Sequence, residues 1–198
     1  MNTITISCKE RTDVGKKSTK ALRKEKQIPC VLYGGEGTLH FSTAHNAFKD
    51  ILKTPEFQKI ALELGGKTYQ AFLKDAQFHP VTDELLHADL QELIEGRKIF
   101  TEIPIRLTGL AKGVRAGGKL MLKERTLKVK TLPKYLVNEL VVDVTELELS
   151  KSIRVSDVNI EGVEFMLAGA IPIASVEITR ALRSAAAAAA GEEEATEE

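Results

Sequence analysis

The sequence predicts a mainly β protein in two parts, with short helices in the first part and a low-complexity tail. Three observations carry this. "KIALELGGKTYQAFLK" alternates apolar and polar residues on both sides of Gly65-Gly66, which marks two strands joined by a two-residue hairpin turn. The second half then reads as strand after strand, "FTEIPIRLTG", "KLMLKERTLKVKTL", "ELVVDVTELEL" and "SIRVSDVNI", separated by turn residues at sandwich-like or barrel-like spacing. The end, "AAAAAAGEEEATEE", has too little apolar variety to build a core.

The remaining elements follow in order. Residues 2–8 alternate as a strand. Residues 16–25, "KKSTKALRKE", read as a short polar helix, and Ile28–Tyr33 as a strand ending at the Gly34-Gly35 turn. "TLHFS" is a further short strand. "TAHNAFKDILK" carries apolar residues at helical spacing, which predicts a second helix. Residues 84–90 and 98–107 each read as strands. A break falls near Glu95–Lys98. The expected parts are a domain over 1–95, a second β domain over 96–182, and a disordered Ala/Glu-rich tail over 183–198. In the second domain the one helical option is a weak one at Val155–Val158.

The net charge of +0 conceals an uneven distribution. Five glutamates sit in the tail, so the remainder is basic. One cluster runs from Lys9 to Lys26, where only Glu10, Asp13 and Glu25 oppose the cations. A second runs from Lys112 to Lys134, where only Glu124 does. Two local basic clusters in a neutral chain suit a polyanionic partner, or two solvated faces. On the first helix Lys16, Lys20, Arg23 and Lys24 fall on one face. Like charges at that spacing repel, and a polyanion would relieve the repulsion. "MNTITISCKER" lacks the apolar stretch of a signal peptide, and no run is long enough for a membrane-spanning helix. Cys8 and Cys30 lack metal or redox spacing; reduced, buried, inert thiols are expected, in keeping with a cytoplasmic protein.

Two motifs invite a catalytic reading. "GVRAGGKL" fits GxxxxGK, but Leu120 stands where a nucleotide loop needs Ser or Thr, and a strand pattern follows where a helix is required. Gly117-Gly118 reads instead as a turn between strands. "LKDAQFHPVTDELLHADLQ" holds His79, His87 and Asp89. Pro80 prevents the two histidines from sharing a helical face. His87 and Asp89, two apart in a strand, point to one side of a sheet. Such a pair can serve a metal site or hydrolase with a third group, can read RNA, or can be an ordinary exposed pair. Tyr33 is either a core cap or a stacking platform, and Phe78 is expected in the core.

Lys16–Gly34, "KKSTKALRKEKQIPCVLYG", resembles the motif GKxxSRRLRxxGxVPAVLYG. Lys74–Leu90, "KDAQFHPVTDELLHADL", resembles KDVQxHPVxxxxxHVDF. Both are signatures of the large-subunit ribosomal protein L twenty-five family. The second half is similar to its long form, the general stress protein CTC. The resemblance spans roughly residues 4–180. It implies an N-terminal six-stranded β-barrel that binds 5S rRNA, followed by a second β domain. Carried over by position, Arg11, Lys16, Lys20, Arg23, Tyr33, His87 and Asp89 fall where the family contacts RNA, and Lys24 joins them on the basic face. The implied protein is a ribosome-associated, cytoplasmic structural component of the large subunit, a monomer on its own. It has no catalytic residue, metal or cofactor, and neighbouring ribosomal proteins are candidate partners of the second domain. An RNA chaperone with broad binding is the alternative. Lys26 stands where the motif has Gly after the helix, which puts a left-handed C-cap there in doubt. Leu90 replaces a Phe.

Overall fold

The computed structural model describes residues 3–35, 37–180, 182 and 184. The chain divides into two compact units. The first takes residues 1–101 and 130–138, the second 102–129 and 139–198. The first unit therefore extends past the expected break, because Ile99 and Leu136 pack in one buried cluster with Phe57 and Phe72. Apart from Ser184, the expected tail lies outside the described residues.

The first unit contains β1 (Thr3–Ser7), β2 (Lys9–Glu10), α1 (Lys16–Lys24), β3 (Gln27–Tyr33), β4 (Leu39–Ala44), α2 (Lys49–Lys53), β5 (Lys59–Leu64), β6 (Lys67–Phe78) and β7 (Leu85–Glu92). The strand order is β1-β5-β6-β7-β3-β4-β2. β1 and β2 are one N-terminal strand interrupted at Cys8, so six strands make this sheet. β1 pairs in parallel with β5, from Thr3↔Lys59 to Ser7↔Glu63. β2 pairs antiparallel with β4 at the other end of the order, Lys9↔Ser42 and Glu10↔Phe41. One strand thus joins both edges and closes the sheet. Closure leaves no long unpaired edge. At the crossing point Cys8 N donates to Glu63 O (3.0 Å), and Thr43 Oγ1 donates to Ser7 O (3.1 Å).

The inward residues of each strand form the core: Ile6, Ile28, Cys30, Leu32, Phe41, Ile60, Leu62, Ala88 and Leu90 are all buried, with Phe48 sealing one end. The helix expected over "TAHNAFKDILK" divides into a 3-10 turn, His45–Phe48, and the short α2. Two register shifts interrupt the β6–β7 ladder. Leu73↔Leu90 is followed by Asp75↔Asp89, which leaves Lys74 as an extra residue. Gln77↔His87 is followed by Phe78↔Leu85, which leaves Leu86 extra. The expectation of a core position for Phe78 is corrected. It lies at the strand end beyond the core and is exposed.

The second unit holds the body of β8 (Ile99–Thr108), then α3 (Lys112–Arg115), β9 (Lys119–Leu122), β10 (Thr126–Thr131), β11 (Leu140–Asp143), β12 (Ser152–Arg154), β13 (Val163–Phe165) and β14 (Pro172–Glu177). Two sheets form, β11-β8-β10-β13 and β12-β14-β9. The long run expected from "ELVVDVTELEL" stops at Asp143. Its carboxylate accepts from Thr145 N (2.9 Å) and from the Thr145 hydroxyl, turning the chain. Val155–Asp157 is a 3-10 turn.

"GVRAGGKL" has a packing explanation. The helix precedes the lysine, as α3, and strand β9 follows it. Gly113 N donates to Leu147 O (2.8 Å), and a Cβ at Gly113 would lie 2.7 Å from Leu149 N. Gly118 is equally close to Leu149 and Val176, and Gly117 takes the left-handed φ of 89°. The glycines seat α3 against the 147–149 segment.

Burial pushes the Cys8 thiol up to about 12, with Glu63 adding to the effect, and burial raises the Cys30 thiol as well. An unfolded thiol ionises near 8.5. The thiols' contribution to stability is therefore intact below that pH and lost as pH rises towards the folded values. At pH 8 the native thiols should alkylate more slowly than the unfolded ones by about three orders of magnitude or more, following the lowered thiolate fraction; equal rates would contradict their burial. Gly113→Ala should destabilise the second unit by about 1–3 kcal/mol, as overpacking against backbone does, read as a lower denaturant midpoint with the first unit's transition unmoved.

Candidate nucleic-acid interface

α1 buries no side chain; Leu22 is only half-buried. So little apolar contact cannot hold a nine-residue helix carrying this much like charge. Polar forks hold it instead. Arg23 Nε and Nη2 both donate to the carbonyl of Leu86, at 3.1 and 3.0 Å. Leu86 is the residue left extra by the second register shift, so its carbonyl is available to a side chain. At the other end Arg11 donates Nε to Asp13 O (3.1 Å) and Nη2 to Thr19 Oγ1 (3.4 Å), and Thr19 Oγ1 back-bonds to Gly15 O (3.0 Å).

The helix ends through Lys26, whose φ of 57° is left-handed. The C-cap doubted from the sequence forms despite the lysine. Lys26 N donates to Arg23 O (3.1 Å), and Lys26 O accepts from His45 N (3.0 Å). A lysine in this conformation costs about 1 kcal/mol relative to Gly.

Lys16, Lys20 and Lys24 are exposed, and among the described residues none of them pairs with a carboxylate. The second cluster differs. Lys112 pairs with Glu146, Lys123 with Glu177, and Lys128 with Glu102 at 3.7 Å. Arg106 nearby pairs with Glu139 at 3.1 Å. Lys112, Lys123 and Lys128 thus have carboxylate partners within their own unit.

The outward face of β3, β7 and β6 carries the other expected residues. Val31 lies beside Asp89 and Tyr33 beside Gln91. Across the other edge of β7, Asp75 lies opposite Asp89 and Gln77 opposite His87. His87 Nδ1 is 2.7 Å from Asp89 Oδ1, with the two side chains 29% and 31% exposed. Asp89 fixes the imidazole with Nδ1 as donor, so in the neutral ring Nε2 is the acceptor. Burial, then Asp89 and Asp75, raises the Tyr33 phenol, which stays a protonated donor. Two carboxylates on this face repel phosphate. A carboxylate is instead an acceptor for amino and hydroxyl groups.

His79 does not join His87. Its Nδ1 accepts from Val81 N (3.3 Å) and Thr82 N (3.2 Å), holding the turn between β6 and β7. Among the described residues no group of three His, Cys, Asp or Glu side chains is placed to hold a metal ion. Asp75 and Gln77 were not identified from the sequence. Simple alternation puts Lys74, Ala76 and Phe78 on one face of β6. The half-buried Leu73 and Ala76, three apart instead of two, are the signal of an inserted residue.

The model of the ribosomal L25p family matches residues 6–90, and that of the ribosomal protein TL5 C-terminal domain matches 98–180. The large ribosomal subunit protein bL25 of Phocaeicola vulgatus is 45% identical over 196 residues, covering 96% of this chain and 99% of the relative. That of Porphyromonas gingivalis is 42% identical over 188 residues, covering 94% and 98%. That of Cytophaga hutchinsonii is 39% identical over 190 residues, covering 96% and 99%.

The chain belongs to the ribosomal L25p family.

All eight expected RNA-binding residues, Arg11, Lys16, Lys20, Arg23, Lys24, Tyr33, His87 and Asp89, fall inside the L25p match. The whole second basic cluster falls inside the TL5 C-terminal match. Within the L25p domain the arginines and lysines of the first cluster divide by geometry: Arg11 and Arg23 are bonded to the fold, and the lysines face solvent. Arg23→Ala should therefore release α1, seen as faster amide hydrogen exchange over residues 19–24, whereas Lys20→Ala should leave that exchange unchanged. Equal effects would mean that the fork does not dock the helix.

Proposed function

We propose that this chain is a structural protein of the large ribosomal subunit that binds 5S rRNA without turnover. The observation that carries the reading is the row of unpaired lysines on α1 beside the polar outer face of the barrel, in a member of the L25p family. Lys16, Lys20 and Lys24 neutralise phosphates and set the register. Arg11 and Arg23 add charge to that contact while keeping the helix docked. Lys20, where the motif has Arg, suits a phosphate better than a bidentate base contact. Tyr33, His87 and Asp89 discriminate bases or ribose on irregular RNA. RNA binding resides in residues 1–95, and the β domain over 96–182 meets other parts of the subunit. The protein works in the cytoplasm, on the ribosome.

The alternatives draw no such support. A hydrolase or metal site built on His79, His87 and Asp89 loses His79 to the β6–β7 turn. A general RNA chaperone would not need the His87–Asp89 pair held at a fixed place on the sheet.

The purified protein should prefer 5S rRNA to a size-matched control RNA, with log affinity falling linearly with log salt. Lys16→Ala, Lys20→Ala or Lys24→Ala should each make the salt slope shallower by about 1. His87→Ala should keep the slope and lose the preference for 5S rRNA. Equal binding of both RNAs by the wild type would refute the reading.

A further inference from the structure

The second unit carries a groove of about 460 Å³ that RNA binding leaves unused. Its apolar lining is Val141, Val142, Leu147, Ile153, Val158 and Ile160. It lies between two sheet edges, since β11 is the outermost strand of one sheet and β12 of the other. β8 pairs with one side of β11, from Leu140↔Ile105 to Asp143↔Thr108. Three consecutive residues of β11, Val141 to Asp143, line the groove, so the strand presents its unpaired edge there. Val141 is 58% exposed, a large apolar side chain in water at an open edge.

The charges around the groove have one sign. Asp143, Glu146 and Asp157 line it, and among the described residues no lysine or arginine does. Thr145 holds Asp143 through its backbone N–H and hydroxyl; Arg154 N and the Ser156 hydroxyl hold Asp157. These neutral donors orient the carboxylates without cancelling their charge. Lys112 reaches Glu146 from outside, and that carboxylate is 81% exposed.

We propose that this groove docks an extended, lysine- or arginine-bearing segment of another protein, which adds as a strand to the free edge of β11. Backbone pairing supplies the affinity of such an addition, and alternate side chains supply its specificity. An apolar side chain of the incoming strand would cover Val141, and its cations would meet the three carboxylates. RNA is repelled by the same carboxylates. The chain's own C-terminal glutamates are repelled too, and a second copy pairing edge to edge would oppose like charges.

The test titrates the full-length protein with two labelled eight-residue peptides, one alternating valine and lysine, the other valine and glutamate, followed by fluorescence anisotropy and amide chemical shifts. The lysine peptide should bind at least about tenfold more tightly, with shifts confined to residues 141–143 and 153–160. Val141→Lys should weaken it by about tenfold or more, as should Glu146→Lys, both with unchanged melting temperature. If Val141→Lys fails to fold, Glu146→Gln and the shift map carry the test. Equal binding of both peptides, shifts elsewhere, or binding lost when residues 185–198 are deleted would overturn the proposal.

Discussion

The first unit depends on a single N-terminal strand that pairs with β5 before Cys8 and with β4 after it. Without that crossing the sheet would be open, with two unsatisfied edges and no fixed curvature. With it the inward residues enclose one core, and the outward residues of β3, β7 and β6 acquire fixed neighbours. Tyr33, His87, Asp89, Asp75 and Gln77 gather on one face because closure and the two register shifts set which side chains point out.

The second shift links the fold to its charge. It leaves Leu86 extra, and the Leu86 carbonyl receives the Arg23 fork. A helix with no buried side chain and a row of like charges is marginal by itself. Docked by Arg23 at one end and Arg11 at the other, it presents its lysines in a defined place. In the proposed reading two tasks are separate: lysines would supply nonspecific attraction, and a carboxylate-bearing sheet face would supply discrimination. In the second unit Lys112, Lys123 and Lys128 are paired with glutamates of the same unit. Similar composition therefore has different consequences in the two halves.

Much of this was legible in the sequence, because period-two alternation and the Gly65-Gly66 turn are local signals. The basic face of α1 and the shared side of His87 and Asp89 were legible for the same reason. Closure was implied only by the family resemblance, since nothing within residues 2–10 tells that the strand changes partners at Cys8. The shift at Lys74 hid Asp75 and Gln77, because a bulge reverses the facing of every residue beyond it, and Phe78 is exposed because it ends the strand. The family resemblance implied Arg11 and Arg23 as RNA contacts, and their bonds to the fold emerged only in three dimensions. The left-handed Lys26 shows tertiary context overriding a local preference. The return of residues 130–138 to the first unit is a long-range packing event with no periodic trace.

The central claim is that the lysines of α1 form the polyanion-facing charge of the molecule. Lysine acetylation footprinting by mass spectrometry, with and without 5S rRNA, tests it most directly. The account predicts strong protection at Lys16, Lys20 and Lys24 and unchanged reactivity at Lys112, Lys123 and Lys128. Protection of the second set, with the helix lysines still reactive, would contradict it.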